Sequence, residues 1–349
     1  MDNKITPQQK MMLFKQATMR HWQEIGTAAG AEGGQVQFVL PKSRLLSKLK
    51  LRVKLTLTAT HAANTSYTAH EDAPFSFLRR VELQMNNQVS PFNVSGKGLV
   101  PYEYSVNGAE AMKVQSSGRY PVVMPVVASA GGTANAVSMT LDLPVVTNDQ
   151  ELIGLILLQN DQTQAVVNIT LGTLADLAPA SAGYTFAVTN IVVSLMAETF
   201  SIPAIADAFP DISVAKMVSE ISQTVVAGEN LIKLPTGLIY RKIALQLYND
   251  TPVRLADSNI TSNIELIVNQ ADFPVRITPY TLADENTKLL EAPLPGGTYL
   301  FDFSNAGKTG SRDYIDTERV TEFWIKFSSD TAGSVRVVYE TLSRLKGIS

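Results

Sequence analysis

The sequence predicts a mainly β protein: two tandem eight-stranded jelly-roll sandwiches (a double jelly roll) behind an amphipathic N-terminal α-helix. Three observations predict it. Short words of the first half recur in order in the second half, apolar residues alternate with polar ones over many short runs, and one helical stripe precedes those runs. At 349 residues the chain is long for one β domain and comfortable for two.

The repeat is legible at residue level. Residues 34–53 read GQVQFVLPKSRLLSKLKLRV and residues 228–247 read GENLIKLPTGLIYRKIALQL. With the two segments aligned 194 positions apart, Gly34 matches Gly228, Leu40-Pro41 matches Leu234-Pro235, and Lys48-Leu49 matches Lys242-Ile243. Val81-Glu82-Leu83 then answers Ile264-Glu265-Leu266, and Ala197-Glu198-Thr199-Phe200 answers Tyr339-Glu340-Thr341-Leu342. Three echoes in one order point to a duplicated β domain.

Residues 5–25 carry the helical pattern. Thr6-Pro7-Gln8-Gln9 fits a capping box with proline at the first helical position. Met11, Phe14, Thr18, Trp22 and Ile25 fall on one stripe, flanked by Lys10 and Lys15. The Gly/Ala-rich stretch from Gly26 to Gly34 predicts a flexible connector, so residues 1–33 form a leader to the sandwiches.

From Gln35 the period becomes two. In residues 49–57 every odd residue is apolar and every even one polar, the mark of a half-buried strand. Further strands are predicted near 77–86, 121–127, 136–143, 165–171 and 184–199, with a short helix within 96–112. The first jelly roll thus spans 34–202, and residues 203–227, punctuated by Pro203 and Pro210, make an interdomain crossing. The second jelly roll, 228–349, has strands near 230–248, 263–271, 273–279, 297–303, 320–328 and 334–342.

Composition narrows the function. A net charge of -3 argues against a general nucleic-acid binder, which must neutralise phosphates. With no cysteine there is no disulfide, thiolate metal site or cysteine nucleophile. Lys10, Lys15 and Arg20 break up any signal-peptide core, and no apolar run approaches the ~18 residues of a spanning helix.

The chemical motifs are thin. His61 and His70 bracket a Ser/Thr-rich loop, a poor start for a metal site, and no G-x-S-x-G elbow frames a serine. Ala306-Gly307-Lys308-Thr309 ends like a phosphate loop, but Asp302 stands where its first glycine is needed. Asp313, Asp316 and Glu318 read more readily as a solvated acidic loop than as a Ca²⁺ site. No catalytic residue, metal or cofactor is predicted.

Two features invite a contact function. The helix, through Lys10, Met11, Phe14, Lys15, Trp22 and Ile25, suits either a lipid interface or packing on protein. The strand carrying Lys48, Lys50, Arg52 and Lys54 on one face calls for acidic cover from a neighbouring strand, another subunit or anionic lipid heads.

Together these features resemble the double jelly-roll major capsid proteins of tectivirus-type bacteriophages, which enclose an internal membrane. The resemblance rests on Ile5-Thr6-Pro7-Gln8-Gln9 before the helix, Phe77-Leu78-Arg79-Arg80-Val81, Val53-Lys54-Leu55-Thr56, Pro210-Asp211-Ile212-Ser213, and Val338-Tyr339-Glu340 with Ser343-Arg344. It implies a non-enzymatic shell protein, made in the host cytoplasm and resident in the virion, that forms pseudo-hexagonal homotrimers tiling an icosahedral capsid. It also implies as partners neighbouring trimers, minor capsid or vertex proteins, and the internal membrane through the N-terminal helix, without direct nucleic-acid binding. The alternative is a carbohydrate- or host-receptor-binding sandwich of spike or lectin type using Tyr67, Tyr102 and Tyr104. A cupin-like enzyme would need more histidines than His61 and His70 supply.

Overall fold

The computed structural model describes residues 6–67, 69–86, 89–108, 122–124, 127–149, 152–159, 164–178, 180–251, 253–304 and 314–344. The chain forms two compact units. Unit 1 comprises Met1–Gly96, Val114–Met217 and Ser343–Ser349; unit 2 comprises Lys97–Lys113 and Val218–Leu342.

Unit 1 opens with α1 (Pro7–Ala17), followed by β1 (Arg20–Ala29), β2 (Gln35–Val39), β3 (Leu45–His61), β4 (Thr65–Ser66), β5 (Leu78–Met85) and β6 (Val89–Val94). The helix α2 (Gly96–Asn107) then leaves for unit 2. Unit 1 resumes with β7 (Val122–Val123), β8 (Val127–Ala128), β9 (Thr133–Pro144), β10 (Ile156–Leu157), β11 (Ala165–Leu171), α3 (Leu174–Leu177) and β12 (Tyr184–Phe200). Its two sheets run β1-β12-β3-β9-β7 and β6-β5-β11-β2. Along β3 the odd residues Leu49 to Leu57 are buried and alternate with wetter ones, as the period of two predicts.

Unit 2 receives β13 (Val214–Val225), then holds β14 (Gly228–Leu234), β15 (Ile239–Asn249), β16 (Ile264–Val268), β17 (Asp272–Ile277), α4 (Pro279–Leu290), β18 (Thr298–Asp302), β19 (Ile315–Asp316), β20 (Phe323–Ser329) and β21 (Gly333–Arg344). Its sheets run β18-β15-β21-β13 and β14-β20-β16-β17. Ile232, Leu245, Leu266, Phe323, Ile325 and Val337 meet between them in one core.

The duplication is a matter of register. In unit 1, Gln37 pairs with Asn168, Asn168 with Glu82, and Glu82 with Asn93. In unit 2 the same row is Leu231, Lys326, Glu265 and Arg276. The next row is Val39-Val166-Gln84 in one unit and Lys233-Trp324-Ile267 in the other. Lys48 faces Glu198 just as Lys242 faces Glu340. Each sequence echo therefore marks equivalent sites in two sandwiches of one topology.

The structure corrects three expectations. The helix stops at Ala17, not near residue 25: Thr18 turns extended and its hydroxyl bonds the Phe14 carbonyl at 2.8 Å. Met19 is then tied to Ser201 through both backbone groups, and Arg20 onward pairs with β12. Pairing with β12 engages nine residues of this stretch, with Ile25 at a bulge, and Trp22 and Ile25 suit a strand as well as a helix. The 26–34 connector is held, not flexible. Gly30 and Gly33 donate to the Ile191 and Gly172 carbonyls, and a Cβ on Gly30 would lie 2.5 Å from Leu171 Cδ1. Finally, the expected crossing is part strand, since β13 begins at Val214.

One helix escaped the sequence reading. Thr278 caps α4, accepting from the Thr281 amide at 3.2 Å, and Pro279 takes the first turn. Leu282, Asn286 and Leu290 form its buried stripe. The short helix expected within 96–112 is α2; residues 109–112 lie outside the described residues.

Candidate functional site

The contact features divide between α1 and the outer face of the β1-β12-β3-β9 sheet, both in unit 1. Thr6 and Gln9 close the predicted capping box, with bonds of 2.9 and 3.2 Å. Phe14 is fully buried against Leu45, Val146, Leu152 and Leu155, and its ring lies 5.5 Å from that of Phe200. Met11 packs on the same cluster. The helical stripe therefore faces its own unit, and the exposed side presents Met12, 65% exposed, with Lys15. Lys10 lines a cleft of about 470 Å³ with Met85, Leu155, Phe209 and Ile212. Asp211 lines it too, held below the usual carboxylate range by the Ser213 hydroxyl and amide, with a smaller effect from Lys10.

Trp22 and Ile25 stand on β1, away from the helix. Trp22 is half exposed on the outer sheet face, where two cations approach its ring: Arg20 at 5.6 Å and Lys50 at 5.5 Å from the centroid. Arg20 also donates to the buried Glu198 at 2.6 Å, and that bond raises the guanidinium's affinity for its proton. Ser47 adds a second bond to Glu198 at 3.1 Å.

The basic strip lies on this face, as alternation requires. Lys50 pairs with Asp142 at 3.3 Å. Arg52 and Lys54 are exposed and have no ion-pair partner among the described residues, and Lys48 stands opposite Glu198. Acidic cover from the described residues is thus partial: it reaches Lys50 and Lys48 and not Arg52 or Lys54.

Of the residues favoured by the alternatives, Tyr67 belongs to unit 1 and Tyr102 and Tyr104 to unit 2. Tyr67 packs on Tyr184 and Phe186, at centroid separations of 5.2 and 4.6 Å. Tyr102 is buried in unit 2, donating to Glu340 Oε2 at 2.7 Å, and burial pushes its phenol well above the ordinary range. Tyr104 sits on α2. His61 packs on Tyr184 at 4.4 Å while His70 approaches Asp72 at 3.9 Å. Among the described residues no group of three or more His, Asp or Glu side chains could hold a metal ion. Asp313 and residues 306–309 lie outside the described residues, and Asp316 accepts from the Glu318 amide at 2.8 Å. No described helix is long and apolar enough to cross a membrane.

No protein-family profile matches the chain. No curated protein matches it either. Among solved structures it is similar to the major capsid protein of Sulfolobus turreted icosahedral virus, at 15% identity and a TM-score of 0.72, covering 94% of this chain and 97% of that one. The capsid of the virus PBCV-1 aligns at 11% identity and a TM-score of 0.62, covering 93% of each chain. The major capsid protein P2 of bacteriophage PM2 aligns at 12% identity and a TM-score of 0.56, covering 95% of this chain and all of that one. The architecture they share with this chain is the double jelly roll.

Proposed function

We propose that this protein is a viral major capsid protein, non-enzymatic, whose work is to assemble with copies of itself into an icosahedral shell around an internal membrane. The observation that carries this reading is the match, over nearly the whole of both chains, to major capsid proteins that share its duplicated sandwich. Duplication suits the task. Three copies bring six similar sandwiches into a pseudo-hexagonal trimer, and closed cyclic association buries area without leaving open ends.

In this reading the virion is the protein's location, and its partners are neighbouring trimers, minor capsid or vertex proteins, and the membrane. The α1 end of unit 1 is the inward end, presenting Met12 and Lys15 while Phe14 and Met11 anchor the helix. The exposed cations Arg52 and Lys54, with Lys48 and Lys50, take an acidic surface of a neighbouring copy. The alternative of a carbohydrate-binding sandwich loses Tyr102, which is buried.

The test is assembly of the purified chain followed by electron microscopy, with Lys50→Glu/Arg52→Glu alongside. Closed particles from the parent chain and impaired assembly of the variant support the reading. A parent chain that stays dispersed at high concentration contradicts it, and normal particles from the variant would return the basic face to solvent.

A further inference from the structure

The two sandwiches repeat strand by strand, but equivalent strands do not all keep equivalent neighbours. β6 stands beside β5 as β17 stands beside β16. The match is residue by residue: Glu82 faces Asn93 and Leu83 faces Phe92, while Glu265 faces Arg276 and Leu266 faces Val275. Both registers then shift at the same step, between Leu83 and Met85 and between Leu266 and Val268. Pro91 and Pro274 occupy the same place in these two bulges. On the other sheets β1 stands beside β12 as β13 stands beside β21.

One of these pairs of edges is joined and the other is not. β6 is hydrogen-bonded to β13, and Val89 and Pro91 line one cleft with Val214 and Ala215, all four in unit 1. Their equivalents β17 and β1 each end a sheet. Burial follows the join. Pro91, Phe92 and Val94 are buried, whereas Pro274 is exposed and Val275 and Ile277 are half-buried. Ala215 and Lys216 on β13 are buried, whereas Trp22, Gln23, Glu24 and Thr27 on β1 are exposed. An open edge presents a row of backbone donors and acceptors to any strand that can add to it. Proline removes one donor from such a row, yet the edge that carries Pro91 takes a neighbour within the chain.

We infer that the β17 edge of one copy pairs with the β1 edge of the next, making between chains the join that β6 and β13 make within one. This rests on the self-assembly reading and specifies where one of its contacts falls. The two edges are different surfaces, so the contact is head-to-tail, and three such contacts close a ring. Duplication then has a physical use: one kind of join, built once into the chain, recurs between copies.

The chain has no cysteine, so Gln23→Cys on β1 and Pro274→Cys on β17 introduce the only thiols, both at exposed positions. Each single variant and the double variant are treated with a short bis-maleimide, with native mass spectrometry reporting the oligomer. The double variant should be linked between chains, giving dimers and trimers on a denaturing gel, and neither single variant should be linked at all. A second readout needs no substitution: in the oligomer, amides of residues 272–277 should exchange as slowly as those of their joined equivalents, 89–94. Trimers whose double variant stays unlinked between chains, or whose 272–277 amides exchange much faster than 89–94, overturn the inference while leaving the self-assembly reading in place. Linking of a single variant to itself would mean a like-to-like contact and also overturns it. If the parent chain forms no oligomer, the self-assembly reading falls and takes this contact with it.

Discussion

Ser47 and Arg241 are the same residue of two copies of one β-bulge. In unit 1 Lys48 faces Glu198 and Leu46 faces Thr199, so Ser47 is the extra residue. In unit 2 Lys242 faces Glu340 and Tyr240 faces Thr341, so Arg241 is the extra residue. Each turns to the glutamate across the strand, Ser47 at 3.1 Å and Arg241 at 3.2 Å. Both glutamates are buried, but their cations differ: Arg20 reaches Glu198 from the half-open strand β1, whereas Arg241 is itself enclosed.

That difference sets unequal costs. Glu340→Gln leaves the Arg241 guanidinium buried without its countercharge and should lower stability by about 3 kcal/mol. Glu198→Gln leaves Arg20 open to water and keeps the Ser47 bond, so the loss should be about 1 kcal/mol. Urea denaturation of the two variants side by side checks this; equal losses would contradict it.

Phe14 is a core residue on a surface helix. Phe14→Ala opens a cavity against Leu45 and Phe200 and should cost about 3–5 kcal/mol. Met12→Ser, on the exposed side of α1, should fall within about 0.5 kcal/mol of the parent. Hydrogen exchange over residues 7–17 should rise in the first variant alone.

Two glycines should respond in opposite ways. A Cβ on Gly333 would lie 2.0 Å from the Tyr248 carbonyl oxygen, so Gly333→Ala must part β15 from β21. Nothing lies within 4 Å of a Cβ on Gly131, and Gly131→Ala should be neutral or slightly stabilising. Soluble yield and melting temperature separate the two.

Asp211 makes stability depend on acid pH. Its carboxyl is held below the ordinary value by Ser213, so its contribution is complete above about pH 4 and disappears as pH falls through the lowered value. The parent's advantage over Ser213→Ala should be present at pH 6 and absent in strong acid. A difference that persists unchanged into strong acid would assign Ser213 another role.

The duplication was legible because its echoes fall where backbone geometry is fixed: the bulge at Ser47 and Arg241, its facing glutamates, and the Glu82 and Glu265 row. The course of residues 18–29 was not legible, since Trp22 and Ile25 satisfy both a helical stripe and a strand, and only pairing with β12 decides between them. The α4 helix had a signal in Thr278-Pro279 and the spacing of Leu282, Asn286 and Leu290, but it lay in a stretch dominated by alternation. The basic strip was visible in sequence. Its partial cover was not, because Asp142 and Trp22 arrive from strands remote in the chain.

Self-assembly through a trimer can be read from the mass of the purified protein by native mass spectrometry. The expected species has a mass of about 114 kDa, three times the chain mass of 37.9 kDa. A 37.9 kDa monomer persisting at high concentration would contradict it.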